Sequence, residues 1–275
     1  MRRRVLILGG SSFVGRHLAA RFGPDRALAT YCRTPMDAGV YFDALTMRVS
    51  EILTTPEDFS HAVILLADTG PDSCAADPAR SWQLNVQSIL TILAELSRWD
   101  IMPVFASSEF VFDGAKGNYT EDDVPQPILT YGKQKLAVER YLEEQEGRSL
   151  IVRFSKIVGA QRGDGTLFAN WLEAIEQGQT TTIRCAADQI FSPIAIEDVI
   201  EAIVCLIELR TESRRSFCQP CHVQGPVRVT PRRLGTFLGL PNFPSFIVSY
   251  ELPLVCPSVW QEWQEYHSCQ ERKPS

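Results

Sequence analysis

An apolar stretch that runs into glycine without a break constrains this chain more than any other feature. Arg4 to Leu8 (RVLIL) is followed directly by GGSSFVG, from Gly9 to Gly15, and then by the helix-forming run RHLAARF. Four consecutive apolar residues predict a short strand buried on both faces, and the glycines predict a tight turn into a helix. Strand, glycine-rich turn and helix in this order form the context in which such a pattern can bind a dinucleotide. Gly9 permits the turn, the backbone N–H groups at the helix start face a pyrophosphate, and Gly15 lets helix and strand pack closely. Ser12 stands where a middle glycine is usual. Its Cβ narrows the approach to the pyrophosphate, while its hydroxyl offers a bond to a phosphate oxygen.

The same alternation continues. Ala27 to Cys32 predicts a second strand, ending at Arg33. A basic residue at that point accommodates a 2′-phosphate, where an acid would grip ribose hydroxyls, so NADP is expected over NAD. Phe42, Asp43 and Ala44 fall in an irregular region, followed by a weak helix near Val49 to Ser60. His61 to Ala67 predicts a third buried strand, leading to Asp68. Asp77 and Pro78 open a long helix, with aspartate as N-cap and proline at the first helical position. Its apolar face passes through Trp82, Val86, Ile89, Leu93 and Leu96, with Asn85 inside the pattern as either a satisfied core amide or a site group. Met102 to Ala106 predicts a fourth strand that delivers Ser107 and Ser108 to its C-terminal end, the edge where open parallel sheets bind ligands. Leu150 to Phe154 predicts a fifth. The fold expected is α/β, a Rossmann-type doubly wound parallel sheet with a small C-terminal substrate-binding lobe. Residues 1–160 form the NADP-binding domain, its core continuing to about 205, and 161–275 the lobe and tail. In that second part Thr166 to Gln177 and Ile196 to Leu209 read as helices, with a charged break from Arg210 to Arg215.

Between the fourth and fifth strands lies SSEFVFDGAKGNYTEDDVPQPILTYGKQK, from Ser107 to Lys135. Helix formers from Leu129 onward place Tyr131 and Lys135 at i and i+4 on one face. An ammonium near a phenol favours the phenolate, so the expectation is a tyrosine lowered from its ordinary value near 10 into use as a proton donor. A serine hydroxyl beside it can hold the substrate oxygen that receives the proton. The spacing alone also fits a surface tyrosine packed on a lysine stem.

Composition removes other classes. A net charge of −6 with scattered basic residues leaves no nucleic-acid footprint. No apolar run approaches a membrane span, and the run after MRRR is too short for a signal peptide, so a cytoplasmic protein is expected. The eight cysteines are spread widely. Cys218 and Cys221 match a redox or haem-attachment spacing, but they lie in a segment that reads as a strand and have no second ligand pair for zinc.

Taken together, SSEFVFDG, the YTEDD-P-x-P loop, YGKQKLAVE and ADQIFSPIAIEDV resemble an extended short-chain dehydrogenase/reductase, and within it the dTDP-4-dehydrorhamnose reductase group. The resemblance covers roughly residues 4 to 205. It implies Ser108 as carbonyl-oxygen donor, Tyr131 as proton donor, and Lys135 as the group acting on the phenol and the ribose. It implies cofactor binding by Gly9, Ser11, Ser12, Phe13, Val14, Gly15, Arg33, Asp43 (at the adenine), Ala44, Leu66, Ala67, Asn85, Tyr131, Lys135 and Phe154. Asp68, Glu109, Phe110 and Gln189 are implied at the substrate, a nucleotide-linked keto-sugar. A homodimer is expected, with NADP(H) preferred and NAD(H) open. Phe110 stands where the group has tyrosine, and Phe110 also occupies the place where a dehydratase's second acid/base group is expected. The beta subunit of methionine adenosyltransferase resembles the same family and represents a non-catalytic, NADP-binding alternative.

Overall fold

The computed structural model describes residues 3–145, 149–159, 192–212 and 218–223, with isolated positions between 161 and 177. Its main unit comprises residues 1–153 and 206–222. At its centre is β1 (Arg4–Leu8), whose last four residues are at most 1% exposed. Helices on both faces explain that run: a strand covered twice has no polar side to alternate with. The sheet continues with β2 (Ala27–Tyr31), β3 (Val40–Tyr41), β4 (Phe59–Ile64), β5 (Met102–Ser108), β6 (Ser149–Phe154) and β9 (Cys218–Val223), in the order β3-β2-β1-β4-β5-β6-β9. The pairs from β3 through β5 are parallel, with Val5 opposite Ala27 on one side and His61 on the other. The chain winds outward from β1 to β3, then crosses back to β4. The carboxyl ends of β1 and β4 therefore flank the point where strand order reverses, which is the ligand crevice of a doubly wound sheet.

Around the sheet lie α1 (Phe13–Phe22), α2 (Pro71–Ala76), α3 (Pro78–Trp82), α4 (Ser88–Arg98) and α5 (Thr130–Glu144); further along the chain is α6 (Ile196–Glu212). Asp77 caps α3 as expected, its carboxylate accepting from the Arg80 N–H at 3.0 Å, with Pro78 at the first position. The long helix is interrupted by a π-turn at Gln83–Gln87. This corrects one expectation: Trp82 is 41% exposed and lies off the apolar face. The wide turn adds a residue to the hydrogen-bonded ring and rotates what precedes it away from the stripe of Val86, Ile89, Leu93 and Leu96, all of which are buried.

Phe42 to Ala44 are irregular as expected, directly after the two-residue β3. Three other expectations shift. The segment before β4 contains two 3₁₀ turns, Val49–Glu51 and Pro56–Asp58, because Pro56 cannot continue a helix from the preceding turn. β4 ends at Ile64, three residues early: the Leu65 N–H still donates to the Leu8 carbonyl at 2.9 Å, and Leu66 to Gly70 run on as irregular backbone. α6 runs through Glu212, past the expected break at 210. β9 bears out the strand expected around Cys218 and Cys221.

The second unit comprises residues 154–205 and 223–275. In it β7 (Ile157–Val158) pairs in parallel with β8 (Ile194–Ala195). The Ser155 hydroxyl donates to the Ser192 carbonyl, and the Ile194 N–H to the Lys156 carbonyl at 2.9 Å. Gln189, most of the helix expected from Thr166 to Gln177, and the tail beyond 223 lie outside the described residues.

Candidate active site

The site begins with the turn after β1. Gly9 has φ +89°, a conformation that side chains rarely adopt. Its N–H donates to Thr30 Oγ1 at 3.1 Å, fastening the turn to β2. A Cβ on Gly15 would lie 2.3 Å from the Gly9 carbonyl oxygen, so helix and turn meet at a distance only glycine permits. Ser12 needs no such freedom: with φ −69° and ψ 167° it is the N-cap of α1, its Oγ accepting from the Gly15 N–H at 3.1 Å. The serine that departs from the glycine pattern thus does a helix-capping job. The N–H groups of Phe13 and Val14 open the helix and have no carbonyl one turn earlier. A cradle this tight, with first-turn N–H groups and a helix dipole behind it, suits a dinucleotide pyrophosphate.

The loop after β4 faces this turn. A Cβ on Gly9 would come within 3.2 to 3.3 Å of the Leu65 and Leu66 backbone. Leu66 and Ala67 are half-buried, Leu66 packing on the main core. Asp68 is folded back on its own loop, Oδ1 accepting from the Gly70 N–H at 3.2 Å and the Ser73 hydroxyl at 2.6 Å. At the carboxyl edge of β2 and β3, Arg33 is exposed, and Asp43 and Ala44 are half-buried. Asp43 Oδ1 accepts from the Leu45 N–H at 3.0 Å.

β5 delivers Ser107 and Ser108, 4% and 8% exposed. Ser108 Oγ caps the 3₁₀ turn Glu109–Val111, accepting from the Phe110 N–H at 3.3 Å. That turn packs against the start of α5, where the Phe110 ring meets Tyr131 edge to face, with centroids 6.1 Å apart. Gly132 makes the approach possible, because a Cβ there would sit 1.9 Å from the Phe110 carbonyl oxygen. Lys135 Nζ donates to the Ala106 carbonyl at 2.7 Å and lies 4.6 Å from the Phe105 ring centre and 5.7 Å from that of Tyr131. One helical turn thus carries both groups onto the end of β5.

The electrostatics differ from the sequence expectation. Tyr131 is 6% exposed, and its phenol is pushed well above the ordinary range by burial first, then by Cys74 and Asp68. Lys135 is pushed down to about 8, again chiefly by burial, with Glu139 and Cys74 opposing. Desolvation outweighs the attraction between ammonium and phenolate, so the lysine does not lower the tyrosine here. The phenol is protonated at neutral pH.

Beneath the site, Glu139 and Arg153 are buried together. Arg153 Nε donates to both carboxylate oxygens at 3.0 and 3.2 Å and Nη2 to Oε2 at 2.6 Å, pinning α5 to β6. Arg153 also lies over the Phe112 ring at 5.2 Å.

The RmlD substrate binding domain model matches residues 3–230. The chain belongs to this family. Among its relatives, the rat methionine adenosyltransferase 2 subunit beta is 31% identical over 160 residues, covering 57% of this chain and 48% of that protein. The chain therefore spans about half the length of that curated relative. A dTDP-4-dehydrorhamnose reductase from Aggregatibacter actinomycetemcomitans is 26% identical over 216 residues, covering 74% and 67%. A solved structure from Sulfolobus tokodaii, described as a hypothetical dTDP-4-dehydrorhamnose reductase, superimposes with a TM-score of 0.73 at 26% identity, covering 88% and 84%.

In this RmlD-family chain, residues separated by more than a hundred positions converge on the crevice: Gly9 to Gly15, Leu66 to Asp68, Ser107, Ser108, Tyr131 and Lys135. Asn85 does not line it. It is 1% exposed, its Oδ1 accepts from the Asp68 N–H, and its Nδ2 donates to the Asp68 and Gln134 oxygens. This is the satisfied-amide arrangement, the structural role that the resemblance also gives Asn85. Phe154 closes β6 with 7% exposure. Sequence reasoning missed Thr30, Cys74, Ser81, Gln134, Glu139 and Arg153. Only Glu139 had a legible signal, an acid four residues after Lys135 on the same helix face.

Proposed function

We propose that this chain is an NADPH-dependent reductase of a nucleotide-linked keto-deoxysugar. The observation that carries the reading is the delivery of a protonated, buried Tyr131 and a buried Lys135 to the end of β5, which also carries Ser108. A nicotinamide cofactor held at the glycine turn supplies hydride. Tyr131 is suited to give a proton to the oxygen of a carbonyl being reduced. An alkoxide is a far stronger base than a phenolate, so a phenol above its ordinary range still donates to it, and burial keeps the proton in place until then. General acid help of this kind contributes about 10²- to 10⁴-fold. Ser108 donates to the same oxygen as charge builds, and its acceptor lone pairs remain on the Phe110 N–H. Lys135, fixed by the Ala106 carbonyl, has two further protons for a ribose hydroxyl and the phenol oxygen. Arg33 supports NADP over NAD through its charge near a 2′-phosphate.

The test is oxidation of NADPH with a panel of nucleotide-linked 4-keto-6-deoxy sugars, with NADH and Tyr131→Phe alongside. Turnover that prefers NADPH and collapses in the variant supports the reading. NADPH binding with no turnover across the panel overturns it. Interconversion of sugar epimers with the nicotinamide retained would instead identify an epimerase. Dehydration is disfavoured, because Phe110 provides no acid or base beside Glu109.

The methionine adenosyltransferase beta subunit relatives favour a second reading, a non-catalytic NADP-binding regulatory subunit. Its signature is tight NADP binding without turnover, together with co-purification of an enzyme whose activity changes on addition of this chain.

A further inference from the structure

Three elements around the crevice meet in one buried chain of amides. Asn85, in the π-turn, holds both backbone groups of Asp68: the N–H at 2.8 Å through Oδ1 and the carbonyl at 2.9 Å through Nδ2. The other Nδ2 hydrogen goes to Gln134 Oε1 at 2.7 Å, and Gln134 Nε2 donates to Ser81 Oγ at 2.8 Å. Ser81 in turn donates to carbonyls of the preceding turn, among them Asp77 at 3.0 Å. Asn85 and Gln134 are each 1% exposed and Ser81 is 3% exposed. Gln134 immediately precedes Lys135 on α5 and lies within one turn of Tyr131, so an amide on the site helix fixes the amide that fixes the opposite loop.

We propose that Gln134 is a positioning residue that couples the Asp68 loop to the Tyr131–Lys135 helix. The chemistry requires an amide. Gln134 must accept from Asn85 and donate to Ser81 at once, which neither an ionised carboxylate nor a thioether of the same reach can do. Without the acceptor, Asn85 Nδ2 has a buried hydrogen with no oxygen to take it, and its side chain is free to turn from the geometry that holds Asp68. Asp68 is one of the groups acting on the Tyr131 phenol. Loop position is therefore felt at the proton donor without Gln134 touching it. The π-turn has a matching role: it is the local wide turn that carries Asn85 between the loop and α5, and such turns recur at functional sites.

This inference rests on the reading of Tyr131 and Lys135 as the proton-transfer pair only for its kinetic consequence, so the test separates the two. Amide hydrogen exchange is measured on the full chain for wild type, Gln134→Met and Gln134→Glu. The methionine variant keeps the length and apolar stem but makes neither bond. Protection of the Asp68 amide is expected to fall by about 5- to 150-fold, the range for leaving one buried polar group unsatisfied, while Val63 and Ile7 in the central strands keep theirs. The glutamate variant keeps the acceptor for Asn85, so Asp68 protection is expected to recover most of the loss. Under the reductase reading, Gln134→Met also lowers kcat at least tenfold with the NADPH dissociation constant within twofold. Unchanged Asp68 protection in Gln134→Met overturns the coupling, as does an equal loss at Val63 and Ile7, which marks a general loosening. A selective loss at Asp68 in a protein with no turnover retains the coupling and removes only the reductase reading.

Discussion

Replacing Glu139 by glutamine tests whether the pair beneath the site holds α5 in place. The two side chains are 0% and 2% exposed, and three N–H···O contacts of 2.6 to 3.2 Å join them. Glutamine keeps the volume but removes the charge that faces the buried Arg153 guanidinium, which also lies over the Phe112 ring and is felt by Glu143. Removing one partner of a buried pair costs about 3–5 kcal/mol, a large part of the roughly 5–15 kcal/mol that holds a domain folded. With a urea m-value near 3 kcal/mol/M, the upper end for small proteins, the midpoint should fall by about 1–2 M. Urea unfolding of the full chain, followed by far-UV circular dichroism, measures this directly. The paired variant Glu139→Leu with Arg153→Met removes both charges and should recover most of the loss, because desolvation of two ions is then no longer required. A fall below about 0.3 M in Glu139→Gln, or a double variant as unstable as the single one, would refute the reasoning. A second readout follows from Glu139 supporting the protonated form of Lys135: in Glu139→Gln the lysine should titrate lower than about 8.

Lys135→Met should raise stability at pH 7 by something on the order of 2 kcal/mol while abolishing turnover, since burial holds the lysine's folded value near 8 and an unfolded lysine titrates near 10.4. Between those values the unfolded chain binds more protons, so this group's contribution to stability rises with pH. The gap between wild type and variant should close from pH 8 to 10 in paired urea titrations. Subtraction is needed because Cys74 and Tyr131, both pushed up by burial, slope the other way. Ser12→Ala should lose about 1 kcal/mol through the missing N-cap, whereas Ser12→Gly should lose only a few tenths, as thermal unfolding would show. Gly15→Ala should abolish NADPH binding by calorimetry, because a Cβ 2.3 Å from the Gly9 carbonyl pushes the turn away from α1.

Regular backbone was largely legible in the sequence: the buried strands, the glycine turn, the Asp77–Pro78 helix start and the Tyr131–Lys135 face all rest on contacts within a few residues. Ser12 was legible as an exception but not as a cap, since its role depends on a hydrogen bond to Gly15 that the folded turn creates. The π-turn and the exposure of Trp82 left no trace in the periodicity. Gln134 looked like any helix-forming residue, because its partners Asn85 and Ser81 lie 49 and 53 positions away.

The sequence by itself determined which side chains a crevice would have available and which sheet edge would present them, because strand burial and turn chemistry are local. Only the tertiary structure decided their state. Proton affinity depends on water being excluded by distant parts of the chain, and that exclusion raised Tyr131 and lowered Lys135 against the attraction that their spacing alone suggested.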